Sequence, residues 1–455
     1  MRILYFALLL VLLVTFGLAL NTVRKRFHAL TPVLGWMIGL SYFLLVPLTI
    51  LTLNGGYKTP LLDDSSPLWG EVYLSDPVFL SPYFVIWLSM ILICAVIFLF
   101  CPGSAPKEQG GAIISRRKLE QVILVPMALS VVNWILTIWL VGGLADFLVS
   151  HWYLRNNDLS ERFGGAFTLD TRVALCNQII FTGAAALHTG LALKERAAHW
   201  KFMSLIWFFF VAEMVMSGNR IYIAIYLLAL LASCWLYGRK KIIAAVLAAS
   251  PILILVFSVW GAVRHDVSRI PESVSGIAEN ADESNGALSS LMHSTEGPAV
   301  MLLMHMINDF GNRYDYLYGS TYSRVFTFFV PRSIYPSRPE NFTSLAASLY
   351  QPGDITSLGS TALGEAWANF GILGIFVLPL FTWLALRYSE WLAAAGARHA
   401  LLSAVSFALF IWFARGTFAE SVMTLLGAVL LMWILKLEKG LYIPTPVTKT
   451  QVSTA

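Results

Sequence analysis

The sequence predicts an all-α polytopic integral membrane protein of about eleven transmembrane helices, with one large periplasmic loop containing amphipathic helices. Three observations point there. Hydrophobic residues make up 57% of the chain and charged ones only 13%, with a mean hydropathy of +0.70, far from a soluble domain. Apolar runs of bilayer-spanning length recur along the chain. Alternate loops between them are short and basic, as cytoplasmic loops are. The others, the loops 54–79, 143–170 and 262–367 and the tight turns 217–220 and 414–419, are expected to face out.

The first run, 3–20, is followed by Arg24, Lys25 and Arg26 and carries no clear small-residue cleavage site. It reads as a retained helix with its start outside. Further runs lie near 31–53, 80–101, 119–142, 171–193, 202–217, 220–237, 242–261, 368–386, 400–414 and 418–436, with Arg415 dividing the last two. The segments RKRFH, PKEQGGAIISRRK, KERAAHWK, GRKK and RHA between alternate runs are short and basic, hence inside. The N-terminus is then periplasmic and the C-terminus cytoplasmic. One membrane domain results: helices 1–8 over 1–261, a large periplasmic loop over 262–367, helices 9–11 over 368–436 and a tail over 437–455.

On this topology the outward-facing basic residues are twelve arginines and a single lysine, Lys58, whereas the inside holds ten lysines and eight arginines. Lysine suffices as a point charge at a helix end. Arginine's planar fork suits a phosphate or carboxylate gripped from two directions. The long loop is itself net acidic, six arginines against eleven acidic residues, which favours individually placed arginines over a polybasic lipid anchor. Its first third is polar, and from Ala287 to Phe310 apolar residues recur at helical spacing, so amphipathic helices on the outer face are expected. From Tyr314 to Gly371 it gathers arginine, proline, aromatics and Glu365, the composition of a functional surface loop.

Arg220 follows Ser217-Gly218-Asn219 and opens a span, where a helix N-terminus suits an anion. A lock to the intramembrane Glu213 is the plainer reading. Arg415, in a second short turn with Glu420 behind it, is placed to join Arg220 at the same depth or to serve as a helix-end charge. Trp152, Tyr153 and Arg155 lie in HWYLRNNDLSERFGG, beside His151 and Arg162. Aromatics interleaved with polar groups suit sugar rings, with an ordinary interfacial belt as the alternative. His293 and His305 read as packed residues. Glu365, shielded by Trp367 and Phe370, is a candidate general base, or else part of a helix start with Ser360 and Thr361.

The four cysteines lie in or beside apolar runs without metal-ligand spacing, so neither disulfides in the loop nor a metal is expected. The net charge of +5 is too modest to imply a nucleic-acid partner. There is no GxxxxGK[ST], DxD or GxSxG, which argues against a nucleotide-driven enzyme or a serine hydrolase. Energy for an external reaction then has to reside in the substrate, as it does in a lipid-linked diphosphate sugar.

The order of elements and three patches, YLYGSTYSRVF, FVPRSIYPSRPENF and LGSTALGEAWANFGILG, resemble the Wzy-type O-antigen and oligosaccharide repeat-unit polymerases. The patches span Tyr316 to Gly374; the remainder resembles the family only in hydropathy. The resemblance implies a bacterial inner-membrane glycosyltransferase without cofactor or metal. It would transfer a growing glycan from undecaprenyl diphosphate to the next undecaprenyl-diphosphate-linked oligosaccharide on the periplasmic face. By motif, Arg332 and Arg338 correspond to diphosphate-binding arginines, with Tyr335 between them in the glycan-binding set. Membrane lipids, a chain-length regulator and a flippase are the implied partners. An O-antigen ligase acting on lipid A-core and a polysaccharide or lipid-linked oligosaccharide transporter are the alternatives.

Overall fold

The computed structural model describes residues 2–58, 71–101, 112–144, 147, 152–195, 200–217, 221–249, 297–327, 330, 334–335, 337–350, 359 and 361–444. The described residues are mostly helical, 83%, and strand among them is confined to two antiparallel two-stranded ribbons. In order, the helices are α1 (Arg2–Phe27), α2 (Pro32–Asn54), α3 (Leu80–Phe100), α4 (Arg116–Val141), α5 (Trp152–Glu195), α6 (Trp200–Ser217), α7 (Ile221–Leu236) and α8 (240–249). They continue with α9 (Gly297–Asp309), α10 (Ser320–Thr327), α11 (Phe342–Tyr350), α12 (Ala362–Phe370), α13 (Val377–Ala394), α14 (Ala400–Phe413) and α15 (Phe418–Ile434).

Among the described residues, five helical stretches are long and apolar enough to cross a membrane: α1, α2, Pro77–Phe100, α4 and the run from α12 through α13. Shorter apolar helices, α7, α14 and α15, complete a membrane-embedded bundle. α2 is continuous but passes through a π turn at Ser41–Leu45. Pro47, two residues on, has no N–H to return to the preceding turn, which accounts for the local widening.

α14 is the hub. It crosses α2 so closely that a side chain on Gly35 would collide with the Phe407 backbone, and one on Gly39 would come within 2.7 Å of Ile411 O. On its other side a Cβ on Gly183 of α5 would lie 2.5 Å from Val405 Cα. Small residues at such crossings let apolar helices touch through their backbones. Trp36 donates to Thr382 Oγ1 at 2.8 Å, and the Val33 amide to Ser389 Oγ at 2.9 Å, fixing α2 against α13.

Two elements depart from the sequence reading. A loop over 143–170 before a span at 171–193 is expected, but α5 runs unbroken for 44 residues, about 66 Å at 1.5 Å per residue, roughly twice a hydrocarbon core. No proline interrupts it, and Gly164-Gly165 retain the amides that helix bonding needs. α9, expected as an amphipathic surface helix, is enclosed. Ala299 through Met304 are consecutively buried, as are Met306 and Ile307, so every face of the helix meets protein.

From α9 the chain folds back onto α12. The Leu317 amide donates to Ala368 O at 2.9 Å. The Tyr316 ring fills the space beside Gly311 and Gly371, both at positive φ, where a Cβ would approach it to 2.5 and 2.8 Å. Gly371 also ends α12, and a 3-10 segment, Gly371–Phe376, re-aims the chain into α13. The span expected at 368–386 therefore begins in a break, which leaves Glu365 on a short helix of its own.

Candidate functional site

The site is assembled at the start of α15. Thr361 caps α12 by accepting from the Gly364 amide at 3.3 Å. The next amide, Ala362, donates to Ala414 O in the turn between α14 and α15. One turn further along α12, Glu365 is only 1% exposed. Its Oε1 accepts from Thr321 Oγ1 at 2.7 Å and its Oε2 from the Phe418 amide at 2.7 Å. Phe418 is the first residue of α15, so the carboxylate meets one of the helix's unpaired N-terminal amides, where dipole and donor both favour an anion. Asn369 completes the joint by donating to Thr321 Oγ1 and to Glu365 O, both at 2.8 Å. The buried acid thus has the donors that burial demands.

Aromatic rings seal this joint. Tyr322 stacks on Phe418 at 4.7 Å, and Phe381 lies nearly parallel to Phe418 at 5.2 Å. Around the same crossing stand three arginines. Arg324, one turn after Thr321 on α10, donates to Pro339 O at 3.2 Å. Arg338, the residue before Pro339, donates to Val330 O at 2.9 Å. Arg415 lies three residues before Phe418, its guanidinium beside Gly359. Asn341 donates to Glu420 Oε1, tying the segment after Arg338 to the first turn of α15. Arg324 and Glu420 both act electrostatically on Glu365. On the same loop, Tyr318, Phe326 and Ile334 are strongly exposed and Tyr335 is 38% exposed. Cationic forks and apolar rings together can take an anionic oxygen group attached to a ring or a chain.

Of the residues expected from sequence, Glu365, Arg338 and Arg415 come together here, with Tyr335 three positions before Arg338. Arg332 and Arg220 lie outside the described residues, as do His151 and His293. Trp152, Tyr153 and Arg155 open α5, with their side chains outside the described residues. Glu213 is buried and accepts from Trp134 Nε1 at 3.0 Å; its expected lock to Arg220 also falls outside them. His305 is packed, its ring edge-on to Phe79 and its Nε2 3.0 Å from Glu71 O.

The sequence offers Arg324 only as one of the six arginines of the long loop, and gives no signal of a role for Thr321, Asn369 or Asn341 by residue type alone. The signal for the first two was the spacing of Thr321 and Arg324 and of Glu365 and Asn369, each on one helix face. No family model, curated protein or solved structure matches the chain.

Proposed function

We propose that this chain is a metal-independent membrane glycosyltransferase that polymerises undecaprenyl-diphosphate-linked oligosaccharide repeat units at the periplasmic face of a bacterial inner membrane. In this reading eleven helices cross the bilayer, the N-terminus is periplasmic and the C-terminus cytoplasmic, and the segment before α12 is an external functional surface. The observation that carries the reading is the gathering of Arg324, Arg338 and Arg415 about the start of α15, beside exposed aromatics.

In the mechanism, Arg338 and Arg415, with Arg332 and Arg220, hold the donor and acceptor diphosphates. They neutralise charge that grows on the leaving diphosphate as the glycosidic bond forms. Tyr335, with Trp152, Tyr153 and Arg155, takes the glycan. Glu365 was expected as the base that removes the acceptor hydroxyl proton. Its enclosure and its two engaged oxygens support a positioning role instead: it fixes α15 and the Thr321 face of α10, and through them Arg324 and Arg415.

Replacing Arg338 or Arg415 by alanine in the producing strain is expected to leave mainly single-repeat products, since a charge-assisted contact is worth about 1.5–3 kcal/mol, roughly tenfold to a hundredfold in rate. An unchanged polymer length distribution at normal expression overturns the reading. A deletion strain separates the rivals. Uncapped core indicates a ligase, and lipid-linked substrate held on the cytoplasmic face a transporter. Glu365→Gln separates base from anchor: polymer survives at reduced yield if the residue positions, and is abolished in fully folded protein if it takes the proton.

A further inference from the structure

The far end of α15 is built differently. After Ile434 the helix closes with the Lys436 amide donating to Trp433 O and the Leu437 amide to Met432 O. Lys436 occupies the left-handed region at φ +52. Glycine normally stands at that closing position because a Cβ is strained there. A lysine there carries backbone strain, and its side chain stands at the edge of an open cavity.

Beside it opens a cavity of about 650 Å³, walled by Leu402, Met432 and Trp433 and rimmed by His399, Lys436 and Lys439. That volume suits part of a small amphipathic molecule. Trp433 is 76% exposed, and Trp391 stacks on His399 at 5.1 Å, the aromatic placement of a membrane–water boundary. Glu438 also lines the cavity. The rim therefore sets two lysines against one carboxylate and stays net positive. Lys118 adds a further cation nearby, its Cε 4.0 Å from where a Gly440 Cβ would stand.

We propose that this cavity binds an anionic phospholipid of the surrounding bilayer, its acyl chain along Met432 and Trp433 and its phosphodiester between Lys436 and Lys439. An apolar wall continuous with a membrane-spanning helix takes the chain, and a net-positive rim selects the headgroup's sign. The site is distinct from the Glu365 joint, because α15 separates them by 17 residues, about 25 Å of helix. It does not depend on the polymerase reading.

The test uses the full chain purified in detergent, with dioleoyl phosphatidylglycerol or dioleoyl phosphatidylcholine added at equal concentration and retained lipid counted by native mass spectrometry. The unaltered chain is expected to retain phosphatidylglycerol preferentially. Lys436→Gly with Lys439→Ala is expected to weaken that retention roughly tenfold, while Lys240→Ala with Lys241→Ala, which removes equal charge from the α8 start, keeps it. Lys439→Ala alone leaves the Lys436 backbone untouched and is expected to lose about threefold, so the result stands even if the double variant misfolds. Equal retention of the two lipids, or the same loss from both double variants, overturns the proposal.

Discussion

The two ends of α15 solve opposite problems. At its start, an acid inside an apolar bundle is matched donor for donor: Thr321 on one oxygen, the Phe418 amide on the other, with aromatic rings closing over the joint. At its end, a lysine holds a backbone conformation that glycine would adopt more easily, next to an open apolar cavity. The first pattern is a joint, in which polar groups are spent on one another to hold geometry. The second is a surface, in which polar groups face outward at some cost in strain. Buried polarity alone does not mark a reacting group; the direction in which it is satisfied does.

That contrast is most directly broken at Glu365. Glu365→Ala removes one partner of a buried network and strands the Thr321 hydroxyl and the Phe418 amide, a loss of about 3 kcal/mol. Thermal unfolding in detergent measures it, and a change under about 0.5 kcal/mol would mean that the start of α15 is held by other contacts. Glu365→Gln keeps the shape and one acceptor oxygen, so about half that loss is expected in the same assay. Thr321→Val is smaller again, about 1 kcal/mol. It removes the bridge between Glu365 and Asn369 while the amide contact to Phe418 remains.

Much of the membrane framework was legible in the sequence, because some twenty consecutive apolar residues have few other uses. What escaped was structure whose signal is either saturated or nonlocal. In α9 the run Ala299 to Met304 is apolar at every position, as in an enclosed helix, but the polar breaks beside it, His305, Asn308 and Asp309, gave the whole stretch the spacing of a surface helix. The loop expected over 143–170, most of which is the first half of α5, was inferred from polarity, yet polarity without proline does not stop a helix. Glu365 stood out as an acid among aromatics, but its partners lie 44 residues earlier and 53 later, and one is a backbone amide carrying no residue signature. Arg338 was singled out by motif and Arg415 by its short turn, both among the arginines of segments expected to be external. Arg324 was another of those arginines, and only the fold sets it against Pro339.

The smallest effect expected is also the one that discriminates best between joint and surface. Lys436→Gly relaxes a left-handed residue, and removing that strain is expected to raise stability by about 0.5–1 kcal/mol, less the added chain entropy of glycine in the unfolded state. A substitution that truncates a side chain completely and still stabilises the fold is the mark of a residue retained for something other than folding. If Lys436 were instead a structural counterpart of Glu365, its removal would destabilise. Combining it with Glu365→Ala completes the comparison. Sites some 25 Å apart, at opposite ends of one helix, should contribute independently, so the double variant's unfolding free energy should equal the two single changes added, within about 0.5 kcal/mol. A larger coupling would mean that α15 transmits the state of its cationic end to the arginines at its start.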